Sequence, residues 1–517
     1  MLFANFSKKL VPVMFGKSKA ALTVVLSLLI ISVSKITAQN TSPVVKTHAG
    51  FVRGLVENSI DVFKGIPYAA PPVGTLRFKP PVVHVAWSDT LSTQTFGSNA
   101  TQGGGKNVTG SEDCLSLNVY TPATDHAKRP VLVWVHGGSM TAGAGRGQDG
   151  HAFADQDGIV TVTINYRLGV FGFMYLGDVD KAYATSGNNG VQDVIMALAW
   201  IKQNIASFGG DPDQVTLMGE SAGAKLISAV LVAPKSKGLF RQYIAESGSV
   251  QCIRDTVTAK NARARILRQL GLTVNDAAKL ITMPADSLIK AQAAVCAGLG
   301  GNSFFGPVDD GKIINSDPYS YAANKKFPHI KALIGTNKSE AGAFISKSLA
   351  ANPIDTSVFK SLFADDYLYV YKTYQQELKT TTPYEAAIKT FTQYMYQMHS
   401  YRFAKSLSQA GVPVWMYRFD FDKSPIGAAH AMELQFVWFD GKIADPEKKQ
   451  LATEMHSAWV AFIKTGNPNI APLPLWPNYK DNDRKVLIFN TINKVIDLPE
   501  VFDDKDFPSA VFVLKSI

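Results

Sequence analysis

The stretch Gln214–Leu226, QVTLMGESAGAKL, passes from an apolar run into a glycine-rich turn and then into residues that favour a helix. It fits the pattern Gly-x-Ser-x-Gly, with Ser221 two residues from Gly219 and from Gly223. A strand directly before such a turn and a helix directly after it hold the serine out of the fold, so that its hydroxyl can attack a substrate. The alternative is a tight turn that requires small residues, in which Ser221 has no chemical role. The flanking strand and helix favour a nucleophile.

Short β-branched runs, each followed by a turn and a helical pattern, recur along the chain. They are VLVWV (131–135), IVTVTINY (159–166), VTLM (215–218), IKALIG (330–335) and VWMYRFDF (414–421). Near-continuous apolar strands that alternate with helices predict an α/β fold with a mostly parallel sheet covered on both faces. Reactive groups then collect on the loops at the carboxyl ends of the strands. The segments near 255–300 and 345–412 are largely helical and are predicted to be cap insertions in one domain over residues 39–517.

A serine hydroxyl is a weak nucleophile until a base takes its proton, and the base needs an orienting acid. In folds with this serine turn the chain order is serine, acid, histidine. The histidines that follow Ser221 are His329, His399, His430 and His456. His399 and His456 lie inside helical patterns, which predicts packed or capping residues. His430 follows a strand in the loop GAAH, so it is the predicted general base, against a structural role in that loop.

Two places in the chain offer the acid. Glu340 lies in the loop GTNKSEAG, just after the strand predicted at 330–335. Asp309 and Asp310 compete with it from a turn in GPVDDGK. A solvated loop carboxylate would fit either place. The position after a strand favours Glu340 but does not by itself decide the choice.

The third requirement is a pair of backbone donors for the oxyanion of the tetrahedral intermediate. One predicted donor is the N–H of Ala222, the first residue of the helix after the serine. The others are predicted in HGGSM (136–140), after the strand 131–135, where glycines let the backbone approach a substrate closely. The alternative is an ordinary glycine turn.

No cofactor is implied by the sequence. The stretch GAGRGQDG (143–150) imitates a nucleotide-binding glycine pattern, but it does not lie directly between a strand and a helix. No group of histidine, cysteine and acidic residues has metal-ligand spacing.

The first 38 residues are predicted to be a signal peptide. They contain five lysines and no acidic residue, and the apolar run Ala20–Val33 is shorter than the about 20 residues of a membrane span. Cleavage after Ala38 would leave a chain that is exported, to the periplasm or the medium, with no membrane span; the alternative is an uncleaved anchor. Half of the formal net charge of +10 lies in this segment, and no basic block interleaved with aromatics remains to indicate nucleic-acid binding.

Cysteine contributes little to the predicted fold. Three cysteines in 517 residues are too few for a disulfide scaffold, and an odd count leaves at least one thiol without an internal partner. Cys252 and Cys296 could pair, but their spacing does not require it.

Four motifs resemble those of the type-B carboxylesterases, the α/β-hydrolases that include cholinesterases, carboxylesterases and some fungal lipases. They are FKGIPYAAPPVGTLRFKPP (63–81), SEDCLSLNVYTP (111–122), INYRLGVFGF (164–173) and FGGDPDQVTLMGESAGA (208–224). The resemblance covers nearly all of the chain after residue 38 and implies the α/β-hydrolase fold.

The resemblance also implies roles for individual residues. Ser221 matches the nucleophile, Glu340 the acid of an N-K-x-E-x-G-like loop, and His430 the histidine of G-x-x-H-x-x-E-L, here GAAHAMEL. Asp309 and Asp310 then become turn residues. The oxyanion donors would be the N–H groups of Gly138, Ser139 and Ala222.

Two further roles follow from the resemblance. Arg77 and Glu112 match a structural ion pair of the family. Glu220 would be a buried hydrogen-bonding neighbour of the histidine rather than a second base.

This chain departs from the family pattern in three places. Ser139 stands where the family usually has a third glycine of the oxyanion loop, which is expected to narrow or polarise the acyl site. Cys114 has Ala100 at the position of its usual disulfide partner, so that bond cannot form. The loop GGGKNVTG (103–110) lacks the tryptophan with which cholinesterases stack on a quaternary ammonium, which argues against choline esters as substrates.

The sequence therefore predicts an exported serine carboxylesterase that acts through an acyl-enzyme on a small-molecule ester. The alternatives are a lipase or an aryl- or polyester-type esterase, and a non-catalytic adhesion relative. The adhesion relative is the less favoured because all three triad residues are present. Acyl and alcohol preference and oligomeric state do not follow from the sequence.

Overall fold

A mostly parallel sheet of eleven strands forms the centre of the computed structural model, which describes residues 42–104, 107–424, 426–498 and 504–516. In chain order the strands are β1 (Val44–Lys46), β2 (Phe51–Arg53), β3 (Leu55–Glu57), β4 (Ile60–Pro67), β5 (Leu91–Ser92), β6 (Gln102–Gly104), β7 (Asn107–Thr109), β8 (Ser116–Thr121), β9 (Arg129–Val135), β10 (Val160–Ile164), β11 (Gly210–Glu220), β12 (Gln242–Glu246), β13 (Lys331–Asn337), β14 (Val414–Phe419), β15 (Lys485–Phe489) and β16 (Lys494–Asp497). The large sheet has the order β16-β15-β14-β13-β12-β11-β9-β10-β8-β4-β3. Neighbours from β15 to β10 are parallel, and the two edges are antiparallel.

Helices connect and cover these strands. They are α1 (His151–Asp157), α2 (Gly169–Phe173), α3 (Asn189–Asn204), α4 (Ala222–Val232), α5 (Thr256–Gln269), α6 (Ala285–Val295), α7 (Pro318–Asn324), α8 (Thr356–Phe363), α9 (Tyr367–Glu377), α10 (Pro383–Thr392), α11 (Met398–Gln409), α12 (Leu434–Val437) and α13 (Pro446–Thr465). No helix among the described residues is long and apolar enough to cross a membrane.

The central strands are apolar on both faces because both faces are covered. Along β9, Val131, Val133 and Val135 pack into one apolar core together with residues of α4. The intervening Leu132 and Trp134 pack into a second core that contains residues of α13. Since side chains alternate between the faces of a strand, helices cover the sheet on both sides. The predicted α/β-hydrolase fold is confirmed.

Local sequence signals set the ends of α13, the longest helix among the described residues. The Asp445 side chain accepts a hydrogen bond from the N–H of Lys448, and Pro446 occupies the first helical position. Gly466 ends the helix with a left-handed φ of 70°. Asp and Pro at the start of a helix and Gly after its end satisfy terminal backbone groups at little conformational cost.

The two segments predicted as insertions contain α5 and α6 in the first and α8 to α11 in the second. The second segment has an apolar cluster of its own, which includes Phe359, Tyr374 and Phe391 and also holds Phe507 and Val511 from the C-terminal part of the chain. Ser42–Ile517 forms one compact unit. The predicted signal peptide, residues 1–38, lies outside the described residues.

The ion pair predicted from the family resemblance is present. The Nε of Arg77 donates to Oε2 of Glu112 at 2.6 Å, and its Nη1 donates to the carbonyl of Met283 at 2.7 Å. Arg77 thereby joins the N-terminal part of the chain to the loop before α6. Cys114, Cys252 and Cys296 all have free thiols, so the possible pairing of Cys252 with Cys296 does not occur.

A second ion pair lies deeper in the fold. Arg167 donates from Nε to Asp193 at 2.9 Å and from Nη2 at 2.6 Å, and the side chains are only 3% and 0% exposed.

Breaking a buried pair leaves an uncompensated charge. We therefore expect Asp193→Asn to lower the free energy of unfolding by about 3–5 kcal/mol, measured by urea denaturation. Asp440→Asn, which breaks a surface pair with Lys442, is the control and should leave the denaturation midpoint unchanged. Equal midpoints for the two variants would contradict this account of Asp193.

Candidate active site

The carboxyl ends of neighbouring parallel strands bring the predicted site residues together. Ser221 follows β11, Glu340 lies three residues after β13, and His430 lies in the loop after β14. The loop 136–140 follows β9, which is the neighbour of β11 in the sheet. All of these groups therefore lie at one edge of the sheet, where α/β folds place their ligands.

Ser221 occupies a strained turn between β11 and α4. Its backbone has φ 55° and ψ −121°, a conformation that costs a non-glycine residue about 1–3 kcal/mol. A Cβ at Gly223 would lie 2.0 Å from the carbonyl oxygen of Val135, and one at Gly219 would lie 2.7 Å from the carbonyl carbon of Gly223. The two glycines of the motif are therefore required by close packing, and the turn presents the serine hydroxyl at the sheet edge.

Ser221, His430 and Glu340 form a continuous chain of hydrogen-bonding contacts. Oγ of Ser221 lies 2.8 Å from Nε2 of His430, and Nδ1 of His430 lies 2.7 Å from Oε2 of Glu340. The other carboxylate oxygen of Glu340 accepts the backbone N–H of Asn337 at 2.7 Å. With both carboxylate oxygens engaged, Glu340 can fix the imidazole so that Nε2 is free to take the serine proton.

The other histidines after Ser221 have different partners. Nδ1 of His399, which is fully buried, lies 2.7 Å from the hydroxyl of Tyr319, and burial holds the pKa of His399 well below its usual range. His456 contacts the carbonyl of Val437 at 2.7 Å and Asp157 at 2.9 Å. These are the packed histidines that the helical patterns predict.

The remaining candidates are also away from the serine. His329 is exposed and lies just before β13, at the opposite end of that strand from Glu340. Oδ1 of Asp310 accepts the backbone N–H groups of Lys312 and Ile313, which closes a turn. Burial raises the pKa of Asp309, which has no contact with the histidine at 430 among the described residues.

Two further buried carboxyl groups lie close to His430. Oε1 of Glu220 is 3.2 Å from Nε2 of His430 but has no hydrogen-bond partner among the described residues. Glu433 accepts a hydrogen bond from the side chain of Asn337. Burial, reinforced by the charge of Glu340, raises the pKa of Glu220 well above its usual range, and burial raises that of Glu433 to about 8. Both groups are thereby favoured as neutral acids, which leaves Glu340 as the residue that orients the histidine.

A π-helical turn, Gln393–Gln397, supports the histidine from the second inserted segment. Its Tyr396 ring lies 4.7 Å from the ring of His430, and the side chain of Gln397 donates to the carbonyl of Asn337 at 3.3 Å. Such turns interrupt regular helices and are frequent at functional sites. Here the turn links the inserted segment to the residues around Glu340.

The loop after β9 presents backbone donors beside Ser221. Gly138 has φ 105°, and a Cβ there would lie 2.2 Å from the carbonyl oxygen of Ala142; Ser139 has φ 56°. The N–H groups of Gly138 and Ser139 have no acceptor among the described residues. The N–H of Ala222 is also free of an intrahelical acceptor because it begins α4. These are the three donors predicted for the oxyanion.

Glycine at 138 is expected to be essential for this loop. Gly138→Ala should lower kcat for ester hydrolysis by about 10²–10³-fold, the cost of losing one oxyanion donor, because the loop must move to accept the methyl group. Steady-state kinetics on a 4-nitrophenyl ester measures the effect. Gly147→Ala is the matched control, since a Cβ at Gly147 meets no atom within 4 Å. Equal activity of the two variants would show that the loop supplies no donor.

Two residues of the site were not predicted from the sequence. Glu433 lies three residues after His430, in the same motif, and nothing in its position separates it from a solvated carboxylate. Lys225 is 7% exposed in α4, one helical turn after Ser221. The signal for Lys225 was present, since it is the one charged residue of the helix AGAKLISAVLV.

Neither a cluster of metal-ligating side chains nor the glycine-rich stretch predicted from the sequence adds a site to this one in the part of the chain that the structure describes. No group of three or more His, Cys, Asp or Glu side chains within the described ranges could hold a metal ion. The glycine-rich stretch 143–150 contains a 3₁₀ turn, Gly145–Gly147, in the loop between β9 and α1.

Comparisons with known proteins find similarity over most of the chain. Residues 41–500 match the Carboxylesterase family. The chain is 37% identical over 489 residues to the para-nitrobenzyl esterase of Bacillus subtilis, covering 89% of this chain and 97% of that protein. It is 31% identical to carboxylesterase 3B of Mus musculus, covering 90% of each chain. A crystal structure of a Geobacillus stearothermophilus carboxylesterase superposes with a TM-score of 0.77 at 35% identity, covering 89% of this chain and 98% of that one.

Proposed function

The chain belongs to the carboxylesterase family and is a serine carboxylic ester hydrolase; from this premise we propose that Ser221, His430 and Glu340 are its catalytic residues. The observation that carries the proposal is the unbroken series of contacts from the serine hydroxyl to the glutamate, with distances of 2.8 Å and 2.7 Å. Nucleophile, base and orienting acid in this geometry are the parts that acyl transfer to serine requires.

In the first half-reaction Nε2 of His430 takes the proton of Ser221 as Oγ attacks the ester carbonyl carbon. The carbonyl oxygen becomes an oxyanion and accepts hydrogen bonds from the N–H groups of Gly138, Ser139 and Ala222. Glu340 stabilises the imidazolium that forms. His430 then donates its proton to the leaving oxygen, the C–O bond breaks, and the alcohol departs from an acyl-enzyme.

The second half-reaction releases the acid. Water takes the place of the alcohol, and His430 accepts one of its protons as the water oxygen attacks the acyl carbon. The same backbone donors hold the second oxyanion. The proton returns to Oγ of Ser221 when its bond to the acyl carbon breaks, which restores the free enzyme.

The test is hydrolysis of 4-nitrophenyl acetate, butyrate and palmitate by the purified protein. We expect the short esters to be hydrolysed, with a burst of nitrophenol if deacylation is the slower step. A profile that favours palmitate and rises at an oil–water interface would instead indicate a lipase. No hydrolysis of any of the esters by folded protein would overturn the proposed mechanism and would favour a binding protein that retains the triad.

We also propose that the chain is exported after removal of residues 1–38. The proposal rests on the basic start and the apolar run Ala20–Val33 in the sequence. Expression of the full-length chain in a bacterial host, followed by N-terminal sequencing of the extracytoplasmic fraction, should give a protein that begins at Gln39. Full-length chain retained in the membrane fraction would contradict it.

A further inference from the structure

Lys225 is a buried cation on the helix that carries the nucleophile. Its backbone N–H donates to the carbonyl of Ser221 at 3.0 Å, so its side chain leaves the helix one turn after the serine. The residue is only 7% exposed, and the other ten residues of α4 are uncharged. A charge at such a position requires a compensating partner, because burial of an unpaired ion is costly.

No carboxylate bonds directly to Lys225 among the described residues. Its ammonium group makes no hydrogen bond and no ion pair there, and its nearest aromatic neighbour is the ring of Tyr396, whose centroid is 5.1 Å from Nζ. Burial and the neighbouring charge of Arg254 lower the pKa of Lys225, while Cys252 and the carboxyl groups of Glu220 and Glu340 raise it. Three N–H donors therefore remain for a ligand.

A second buried cation lies close by. Arg254 is 5% exposed and donates only to backbone carbonyls, those of Ser303 at 2.9 Å, Phe304 at 2.5 Å and Cys252 at 3.4 Å. It forms no ion pair with any carboxylate in the described ranges. Burial lowers the pKa of Arg254 to about 10, so the guanidinium remains charged at neutral pH.

Lys225 and Arg254 line one narrow pocket together with Ser139 of the loop 136–140, Ala222 at the start of α4, and Asn302. Oγ of Ser139 donates to Oδ1 of Asn302 at 3.1 Å, which leaves the amide N–H groups of Asn302 without a partner in the part of the chain that the structure describes. Two cations and an amide donor thus surround a space beside the nucleophile, and no ionised carboxylate lines it. The charge and the donors match a small anionic group.

The position of the pocket decides which part of the substrate enters it. His430 returns a proton to the leaving alcohol, so the alcohol lies on the side of the histidine. The pocket is lined by oxyanion-loop residues and does not include His430. It therefore receives the acyl part of the ester.

We propose that this pocket binds a carboxylate at the far end of the acyl chain, so that the preferred substrates are half-esters of short dicarboxylic acids. The Lys225 ammonium, the Arg254 guanidinium and the Asn302 amide are the groups that recognise the carboxylate. The proposal rests on the proposed function, since the acyl chain is placed by attack of Ser221. Ser139, in place of a third glycine, contributes by fixing Asn302.

The test compares kcat/KM for the monomethyl esters of succinic, glutaric and adipic acids with kcat/KM for the methyl esters of butyric, pentanoic and hexanoic acids. Hydrolysis is measured by pH-stat titration of the acid released. Within each pair the acyl carbon number is equal and only the charge differs. For at least one pair, the ratio of kcat/KM for the half-ester to kcat/KM for the neutral ester should be about 10 or more. Lys225→Met should lower that ratio by about 30- to 100-fold, the cost of truncating one member of a buried charge pair, and Lys225→Arg should retain part of it.

Lys235→Met is the matched control, because Lys235 is exposed and should leave the ratio unchanged. A measurement without variants follows the same logic: free glutarate should inhibit hydrolysis of methyl pentanoate competitively and more strongly than pentanoate does. Faster hydrolysis of the neutral ester in all three pairs would overturn the proposal. So would an equal loss on both members of a pair in Lys225→Met, since that is the result expected if Lys225 only balances Glu220 and Glu340.

Different results would contradict the proposed function and the proposed carboxylate pocket. If neutral esters are hydrolysed and Ser221→Ala abolishes the reaction, but no half-ester is preferred, the proposed function stands and only the carboxylate pocket is wrong. If no ester of either kind is hydrolysed by folded protein, both are wrong.

Discussion

Ser221→Ala is expected to lower kcat for 4-nitrophenyl butyrate by about 10⁵–10⁶-fold, the scale of loss known when a serine nucleophile is removed from a triad enzyme. Without Oγ no acyl-enzyme forms, and only the oxyanion donors and substrate binding remain to accelerate attack by water. The substitution removes one atom, the hydroxyl oxygen, and leaves the strained turn occupied by a small residue. We therefore expect the variant to fold, with an unchanged circular dichroism spectrum.

Ser228→Ala is the matched control for this substitution. Ser228 lies seven residues further along the same helix, is buried, and donates to the carbonyl of Ala224 at 2.6 Å. Its loss should change kcat by no more than a few-fold. If Ser221→Ala kept a tenth or more of the activity, Ser221 would not be the nucleophile and the proposed mechanism would fall.

Glu340→Gln should lower kcat by about 10⁴-fold with little change in KM, as expected when the acid of a triad is made neutral without a change of shape. A glutamine cannot stabilise the imidazolium of His430, and its amide favours the tautomer in which Nε2 carries the proton. The serine then has no base. Kinetics of the purified variant on the same ester, at pH values from 6 to 9, measures the loss.

Asp310→Asn is the control for Glu340→Gln, because Asp310 is the competing candidate for the acid. Its carboxylate accepts hydrogen bonds from backbone N–H groups of its own turn. The activity of this variant should stay within about two-fold of the wild type, since a turn that does not contact the serine or the histidine affects stability rather than catalysis. Should the losses be reversed, with Asp310→Asn inactive and Glu340→Gln active, the assignment of the acid would be wrong.

The fold follows from the sequence to a large extent because the parallel strands are buried on both faces. A run such as VTVTI in β10, buried at every position, has few alternatives to a central strand, and the serine motif fixes the place of β11 and α4. The ends of elements were less well defined. β11 begins at Gly210, five residues before the apolar run VTLM, because Gly210 pairs with Arg129 of β9 ahead of an irregularity that ends at Val215.

Chain order predicts some of the site residues, and tertiary packing determines the others. The order of serine, acid and histidine restricts the choice to a few residues, and strand position favours Glu340 and His430 among them. The roles of Glu433 and of the lysine at 225 depend on which side chains converge from distant segments. Lys225 shows the limit: its charge within an apolar helix was visible, but the absence of a partner could be seen only after α4, the segment at 302 and Arg254 had been placed together.

The most direct test of the central claim is covalent trapping of the nucleophile. The purified protein is treated with a fluorophosphonate, which phosphonylates an activated serine, and is then digested and analysed by mass spectrometry. The account predicts one adduct per chain, on the peptide that contains Ser221, formed in step with the loss of esterase activity and absent from Ser221→Ala. Loss of activity with the adduct on another serine, or esterase activity that survives complete modification of Ser221, would contradict it.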